Sequence, residues 1–416
     1  MHGDTRSPLY PPSYWQKLTP PLINSTSRVS DETTTIYDII IVGAGLTGTS
    51  AALHFAKMAR SSLLLDSRRV AGGATGRNGG HLHPRAGPSP RAVWEREIGA
   101  KCLKDFMAKE GGDYGLRCGG SCMLLGPDES KMELKEGLEK WDAEETSKHL
   151  GMSESSTLKF SGALYDPNGC NVQPAEIVST IAKAAMKTGN VEFRHSINVV
   201  EVRPPSDNGD GVITVKTTDG VTFKARNVIV STNGLLGTIL KPLSKVCLPR
   251  RNQVLVTSPI PPRFLAAFTC YSGADEIYAH QRDDGRLVVG GARSSARADD
   301  SWKDDDPLDE NVSKALREFV FSLGGECETC EIEGEWAGTL GFTADGNPLV
   351  GMLWGDQHST AGQIAVAGCY CGHGMPTAFA AGKCIAELIV GGELKVEDKF
   401  LLQDEFRLDR FGMEEW

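Results

Sequence analysis

The 416 residues carry 44 Lys+Arg against 54 Asp+Glu, a formal net charge of −10, with 40% hydrophobic and 24% charged residues. That is the composition of a globular chain able to bury a large core, and its length suggests about two domains. The acidic balance argues against nucleic acid, whose phosphates need a basic face, and against an anionic membrane surface; no run of about 20 apolar residues exists to span a bilayer.

Residues 1–35 form a polar N-terminal extension holding Pro8, Pro11, Pro12, Pro20 and Pro21. It reads as a disordered tail, with Tyr10, Tyr14 and Trp15 as the side chains able to pin it to the body. Ile36 to Val42 is an apolar, β-branched run bounded by Gly43, the pattern of a buried parallel strand. Thr47 to Ala59 then reads as a helix, with Ala51, Ala52, Phe55 and Met58 at helical spacing, and Ser62 to Leu65 as a second strand ended by Asp66. This is β-α-β in about thirty residues.

A stretch of glycines and small residues follows from Ala71 to Gly80, and Arg91 to Leu150 reads as helical and charged, broken at Gly111-Gly112 and Gly119-Gly120. Gln173 to Lys187 is a helix with Pro174 at its start, where a missing N–H costs nothing. Strands are expected at 191–202, 212–215, 221–230, 248–258, 276–280 and 287–290, then a helix at 311–323, a buried strand at 364–367 and a last helix at 375–390. The eleven cysteines are an odd number in a long chain, and Met1 to Ser30 lacks the apolar stretch of a secretory signal. Reduced thiols in a cytoplasmic setting are therefore expected, and Cys327-Glu-Thr-Cys330 is read as a chance CxxC with no second ligand pair for a metal.

The chemistry begins at Gly43-Ala44-Gly45-Leu46-Thr47-Gly48, a G-x-G-x-x-G placed directly between a buried strand and a helix. Gly43 allows the tight turn, Gly45 lets the backbone approach a pyrophosphate, and Gly48 lets helix and strand pack closely. The start of the helix offers N–H groups and partial positive charge to that phosphate. Asp66 ends the second strand, where a carboxylate accepts hydrogen bonds from ribose hydroxyls, with Ser67 and Arg68 beside it.

A simple nicotinamide dehydrogenase would continue in regular β-α units. This chain instead places five glycines among residues 72–80 and then His81, a backbone suited to lie against something flat or charged. A second glycine turn, Gly372-His373-Gly374-Met375, opens the last helix, whose N-terminus would stabilise negative charge on a reduced flavin. No second G-x-G-x-x-G is present for NAD(P)H.

In these features the sequence resembles the FAD-dependent oxidoreductases of the D-amino-acid oxidase, glycine oxidase and sarcosine oxidase group, over roughly residues 36–390. Its opening fingerprint is similar to Ile39–Gly48 with Asp66, and its second flavin loop to Ala74-Thr75-Gly76-Arg77-Asn78-Gly79-Gly80. Asp166-Pro167-Asn168-Gly169 through Pro174 resembles a further signature. The family valine whose backbone meets adenine falls at Val199. Val228 to Thr232-Asn233-Gly234 resembles its strand-then-TNG element. The late motif falls on Trp336, Gly338, Thr343, Asp345, Pro348 and Gly351, and the closing GHGM on Gly372 to Met375.

The resemblance implies an α/β fold in which an FAD-binding Rossmann-like domain interleaves with a mixed-sheet α+β substrate domain. The first would gather 36–90, 160–240 and 335–395, the second 91–159 and 241–334, with 396–416 as a C-terminal tail. It implies FAD as cofactor, a small-molecule amine substrate, and oxidation of a C–N bond by hydride transfer to flavin N5. Oxygen is the expected acceptor, giving hydrogen peroxide. A hydroxylating monooxygenase, an electron-carrier-linked amine dehydrogenase and a flavin-binding protein without turnover stand as alternatives.

Departures from the family pattern bear on the substrate. Glycine oxidases clamp the substrate carboxylate with an Arg where this chain has Leu340, and a leucine makes no charged hydrogen bonds. Arg250, Arg251 and Arg293 are the substitutes available. Sarcosine oxidases tether FAD through a Cys whose position here is Gly338, so the flavin is expected to be held non-covalently. Their oxygen-activating Lys corresponds to Val288. His81 and His373 beside the flavin, and Tyr278 on a strand of the substrate domain with His280, are the candidate catalytic and pocket residues; His83 follows His81 in the same loop.

Overall fold

The computed structural model describes residues 12–22, 35–127, 134, 137–205, 211–264, 266–272, 275–296, 308–355, 362–391, 406 and 408–412. Tyr10, the first prolines and most of the expected C-terminal tail lie outside these. The described residues build two eight-stranded sheets and one small pair, His81–Leu82 with Cys170–Asn171.

The first sheet runs in the order Leu349–Trp354, Gln363–Gly368, Thr222–Val230, Ile36–Val42, Ser62–Leu65 and Val191–Arg194; Ile213–Thr217 pairs with the long third strand and Val199–Arg203 with Ile213–Thr217. Its middle is parallel, Ile36–Val42 lying between Thr222–Val230 and Ser62–Leu65. Parallel strands covered on both faces need apolar side chains at every position, and Ile39, Ile40, Ile41 and Val42 are all buried. Ile39 and Ile41 pack into the core formed with helices Leu46–Lys57, Pro174–Met186 and Gly374–Val390. Ile40 and Val42 pack on the opposite face against Leu236, Leu240 and Leu243.

The second sheet runs Ile332–Phe342, Leu248–Thr257, Leu287–Gly291, Asp275–Gln281, Ala267–Ser272, Ser121–Leu125, Gly162–Asp166 and Glu139–Asp142. Helix Glu310–Ser322 covers one face, burying Leu316, Phe319 and Val320 against Leu255 and Val289. The alternate side chains Val254, Val256 and Val288 join the core of the first sheet, so this sheet is buried on both sides. The strands Gly162–Asp166 and Ile332–Phe342 belong to this sheet, although most of each falls in segments that the resemblance assigned to the flavin domain.

Three expectations need correction. Arg91 to Leu150 is not helical throughout: after the helix ending at Glu110, Ser121–Leu125 and Glu139–Asp142 are strands, because the Cys-Met-Leu-Leu run pairs with Ala267–Ser272 and Gly162–Asp166. The strand expected over 191–202 breaks at Ser196, whose φ of +60° turns the chain between two strands. The thiols are not all reduced, since Cys118 and Cys170 form a disulfide. Arg117 and Asn171 exchange both backbone hydrogen bonds, at 2.9 and 2.8 Å, and so place the adjacent cysteines opposite one another with Cα atoms 4.2 Å apart. Their separation of 52 residues hides this in the sequence. Cys327 and Cys330 stay free thiols, and burial pushes Cys327 up to about 11.

The short N-terminal helix Tyr14–Leu18 is ordered against the body, and Trp15 is wholly buried. Among the described residues no helix is long and apolar enough to cross a membrane.

Candidate active site

A cavity of about 760 Å³ lies between the two sheets, within the ~300–1,000 Å³ range of ligand pockets. One end opens on the first β-α turn. Gly43 holds φ at +107°, and a Cβ there would sit 2.9 Å from Ser231 O. A Cβ on Gly48 would come within 1.8 Å of Gly43 O, so this glycine serves helix-strand packing and does not line the cavity. Gly45, Leu46 and Thr47 do line it. The Leu46 N–H donates to Thr75 Oγ1 at 3.2 Å, which ties the helix start to the second glycine loop.

Asp66 accepts the Ala44 N–H and the Arg68 N–H, each at 2.7 Å, one on each carboxylate oxygen. Burial pushes its carboxyl up, against the pull of Arg68 and the two N–H groups. Each oxygen keeps a lone pair for further donors. Ser67, Arg68 and Val199 line the same end.

The second glycine loop is held from behind. Gly76 and Gly80 face away from the cavity: a Cβ on Gly76 would strike Ala71 O, and one on Gly80 would strike Val172 O and the Trp15 ring. The buried Arg77 donates through Nε to Ala337 O, and Arg77 O accepts the Trp336 indole N–H at 2.9 Å. Gly338 leaves room for this arginine, since a Cβ there would lie 2.9 Å from Arg77 Cβ. The N-terminal helix adds the Trp15 Nε1–H to Asn78 O at 2.7 Å, the Gln16 Nε2–H to Ala71 O at 2.9 Å, and the Ser13 hydroxyl to Gly76 O. Ala74, Thr75, Arg77, Asn78, Gly79 and His81 line the cavity.

Beyond this loop the cavity wall becomes polar and aromatic. His81 stacks on His83 at 4.6 Å and meets the edges of Tyr278 and His280 at 4.8 and 5.0 Å. Burial lowers all three imidazoles: His81 well below its ordinary value, His83 to about 4 and His280 to about 3. Nε2 of His280 lies 2.9 Å from Gly79 O, so it carries the proton, while Nε2 of His81 has no partner among the described residues. Tyr278 packs over Gly79 and Gly290, either of which would clash through a Cβ.

The orientation of Tyr278 follows from its neighbours. Arg293 donates to Asn252 Oδ1 at 2.9 Å, so the Asn252 amide must turn its NH₂ to Tyr278 Oη, at 2.8 Å. The phenol oxygen is thus an acceptor towards Asn252, and its own O–H is left to donate into the cavity. Burial pushes this phenol up to about 12.

The closing turn completes the wall. Thr232 and Asn233 line the cavity, whereas Gly234 packs against Leu340 O. Cys371 and Gly372 adopt positive φ and lead to His373, which caps the helix Gly374–Val390. Tyr370 Oη lies 2.7 Å from Thr47 Oγ1, joining the two helix starts. His373, Gly374 and Met375 line the cavity. Nδ1 of His373 is 3.5 Å from the fully buried Glu95, which also pairs with Arg91 at 3.0 Å and accepts the Arg85 N–H at 2.8 Å. Burial alone would raise the Glu95 carboxyl; His373, Arg91 and that N–H outweigh it and hold it low. Glu95 sits in a turn of π-helix inside an otherwise α-helical stretch, a feature without a signature in the sequence.

Of the arginines considered for a carboxylate, Arg293 lines the cavity, paired with Glu276 at 3.0 Å, and Arg250 and Arg251 do not. Sequence reasoning missed Glu276, Asn252, Glu95 and Tyr370. The alternation of Glu276 with Tyr278 and His280 on one strand was the available signal for the first.

The cavity fits a flavin dinucleotide. The buried carboxylate with spare lone pairs, the turn that admits no Cβ at Gly43, and two helix starts facing one elongated space are what its ribose, pyrophosphate and ring require. A family model described as FAD dependent oxidoreductase matches residues 38–388. The gamma-glutamylputrescine oxidoreductase of Escherichia coli is 27% identical over 383 residues, covering 85% of this chain and 84% of that protein. The glycine oxidase of Bacillus licheniformis is 25% identical over 379 residues, 87% of this chain and 95% of its own. The crystal structure of glycine oxidase from Geobacillus kaustophilus superposes with a TM-score of 0.71 at 19% identity, over 87% of this chain and 96% of that one. An L-amino acid deaminase from Proteus vulgaris gives 0.69 at 17%, over 94% and 97%.

Proposed function

The chain belongs to the FAD dependent oxidoreductase family, and on that premise we propose that it oxidises the C–N bond of a small amine or amino-acid derivative to an imine, with molecular oxygen as acceptor and hydrogen peroxide as product. FAD, held without a covalent bond, would supply the hydride acceptor at its N5. The single observation that carries the reading is the continuity of one cavity from Asp66, past both glycine turns, to His81 and Tyr278.

On this reading Gly43, Gly45, Leu46 and Thr47 receive the pyrophosphate, Asp66 the ribose, and Val199 the adenine. Gly48, Gly76, Gly80 and Gly234 act behind them, by shaping turns and packing, and Arg77, on the cavity wall, locks the second glycine loop to Ala337 and Trp336. The helix start at Gly374 and Met375 turns its partial positive charge towards charge developing on the ring. His81 stays neutral near pH 7, since burial holds its pKa well below the ordinary value. A neutral imidazole lining the cavity orients the substrate amine and stores no proton. Tyr278 offers its O–H to an acceptor on the substrate, and Glu95 positions His373.

Names of the relatives support an amine or amino-acid substrate. Leu340 on the cavity wall supports one without a carboxylate next to the reacting carbon. Eight free cysteines among the described residues, against the one Cys118–Cys170 disulfide, support a cytoplasmic setting. Val288 is buried away from the cavity, so no lysine assists oxygen at that position; an electron-carrier-linked dehydrogenase is the second reading this favours.

Anaerobic mixing tests the proposal. Bleaching of the flavin by an amine alone, followed by re-oxidation in air with peroxide release, is the expected result. Bleaching only by NADPH would overturn it in favour of a monooxygenase, and re-oxidation only by an added carrier would establish the second reading.

A further inference from the structure

Resting on the amine-oxidation reading and extending it to the substrate, we propose that Glu276 and Arg293 recognise an amino-acid head group, an ammonium beside a carboxylate, several bonds from the amine that is oxidised.

The placement comes from one strand. Glu276, Tyr278 and His280 alternate along Asp275–Gln281 and share a face. His280 bonds Gly79 O and Tyr278 packs on Gly79, so both border the glycine loop. Glu276 lies one full pleat beyond Tyr278, about 7 Å further from that loop. Arg293 reaches the same place from the turn after Leu287–Gly291, with Nη2 at 3.0 Å from Glu276 Oε2 and Nη1 at 2.9 Å from Asn252 Oδ1.

Both side chains line the cavity and remain about one-third open, at 31% and 38% exposure for Arg293 and Glu276. Glu276 Oε1 and Arg293 Nε bond nothing among the described residues. So open an ion pair adds little to stability. What it offers is one acceptor edge and one donor edge, side by side on a cavity wall. Their complement is an ammonium next to a carboxylate, which adds a partner at each open edge and keeps the site neutral, whereas a ligand of single charge gives it a net charge. Nearer the flavin end, Leu340 gives a carboxylate no partner. A chain of roughly five bonds, at ~1.5 Å each, spans the pleat between the head group and the amine beside Tyr278 and His81.

The probes are N6-methyl-lysine, N-methylcadaverine, which lacks the carboxylate, and 6-(methylamino)hexanoate, which lacks the α-ammonium. Binding to the holoprotein is measured by calorimetry under anaerobic conditions, and flavin bleaching is recorded separately. N6-methyl-lysine is expected to bind at least about ten-fold tighter than either analogue. Arg293→Gln is expected to bring its ratio to N-methylcadaverine near one, and Glu276→Gln its ratio to the hexanoate near one. A merely structural pair would weaken all three ligands alike and leave the ratios standing. Equal wild-type affinities, ratios that survive the substitutions, or no binding by any probe overturns the proposal. Bleaching with equal affinities sinks the head-group site and leaves amine oxidation; discriminating affinities without bleaching sink amine oxidation and leave the head-group site.

Discussion

Trp15 offers a quantitative test of how the glycine loop is held. It is fully buried, donates its indole N–H to Asn78 O at 2.7 Å, and lies parallel to His280 at 6.4 Å between ring centres. Trp15→Ala removes a large buried aromatic, which costs about 3–5 kcal/mol. Trp15→Phe keeps an aromatic ring but leaves a carbonyl unpaired, at about 1–3 kcal/mol. The helix Tyr14–Leu18 packs on the 71–80 loop and equally on helix Pro174–Met186, so a part of the loss falls on ordering that loop. If ~3 kcal/mol must be regained each time FAD binds, the Kd rises about 100-fold for the alanine variant; at ~1 kcal/mol, the lower end for phenylalanine, it rises about five-fold. Apoprotein titrated with FAD, followed by quenching of flavin fluorescence, reads the Kd; thermal melting of the same apoproteins reads the fold. A Trp15→Ala protein that binds FAD with wild-type Kd refutes the reasoning, even if its melting point falls.

Gly45→Val sets methyl groups against Thr75, whose Oγ1 already lies 3.2 Å from a Cβ at this position; the purified variant should carry no flavin, and a fully loaded one would contradict the pyrophosphate assignment. His81, His83 and His280 are held neutral by burial, with His83 at about 4 and His280 at about 3. Their unfolded value is about 6.5, so the stability they carry is complete above that pH and is lost as pH falls towards the folded values. At pH 5 the loss is about 2 kcal/mol per imidazole, and urea melts at pH 7 and 5 should show it, whereas a flat profile would exclude these groups. Glu95→Ala leaves the Arg91 guanidinium buried without its carboxylate, at a cost of about 3–5 kcal/mol in urea unfolding, where less than about 1 would mean the pair is not formed. His373→Ala should slow anaerobic flavin reduction more than it weakens substrate binding, and the reverse split would remove His373 from the chemistry.

The centre of the first sheet was legible because its signal is local. Ile36–Val42, the glycine turn and Asp66 lie within about thirty residues, and their order alone defines the β-α-β unit. Of the second sheet only Leu248–Thr257, Asp275–Gln281 and Leu287–Gly291 were legible. Ser121–Leu125 and Glu139–Asp142 carry short or charged runs that become strands through partners far along the chain, which no window of sequence reveals. The glycines show the same limit. Composition marked Gly76, Gly79 and Gly80 alike, yet only packing separates Gly79, which lines the cavity, from Gly76 and Gly80, pressed against Ala71 and Val172. The Cys118–Cys170 bond, Glu95 behind His373, and the Arg293–Asn252–Tyr278 chain all join residues that are distant in sequence.

The central claim is that this cavity holds FAD without a covalent bond. Acid precipitation of the purified protein, with mass analysis of both fractions, tests it most directly. The account predicts a yellow protein that releases about one FAD per chain into the supernatant. A colourless preparation that takes up no FAD on incubation, or colour that stays with the pellet, contradicts it.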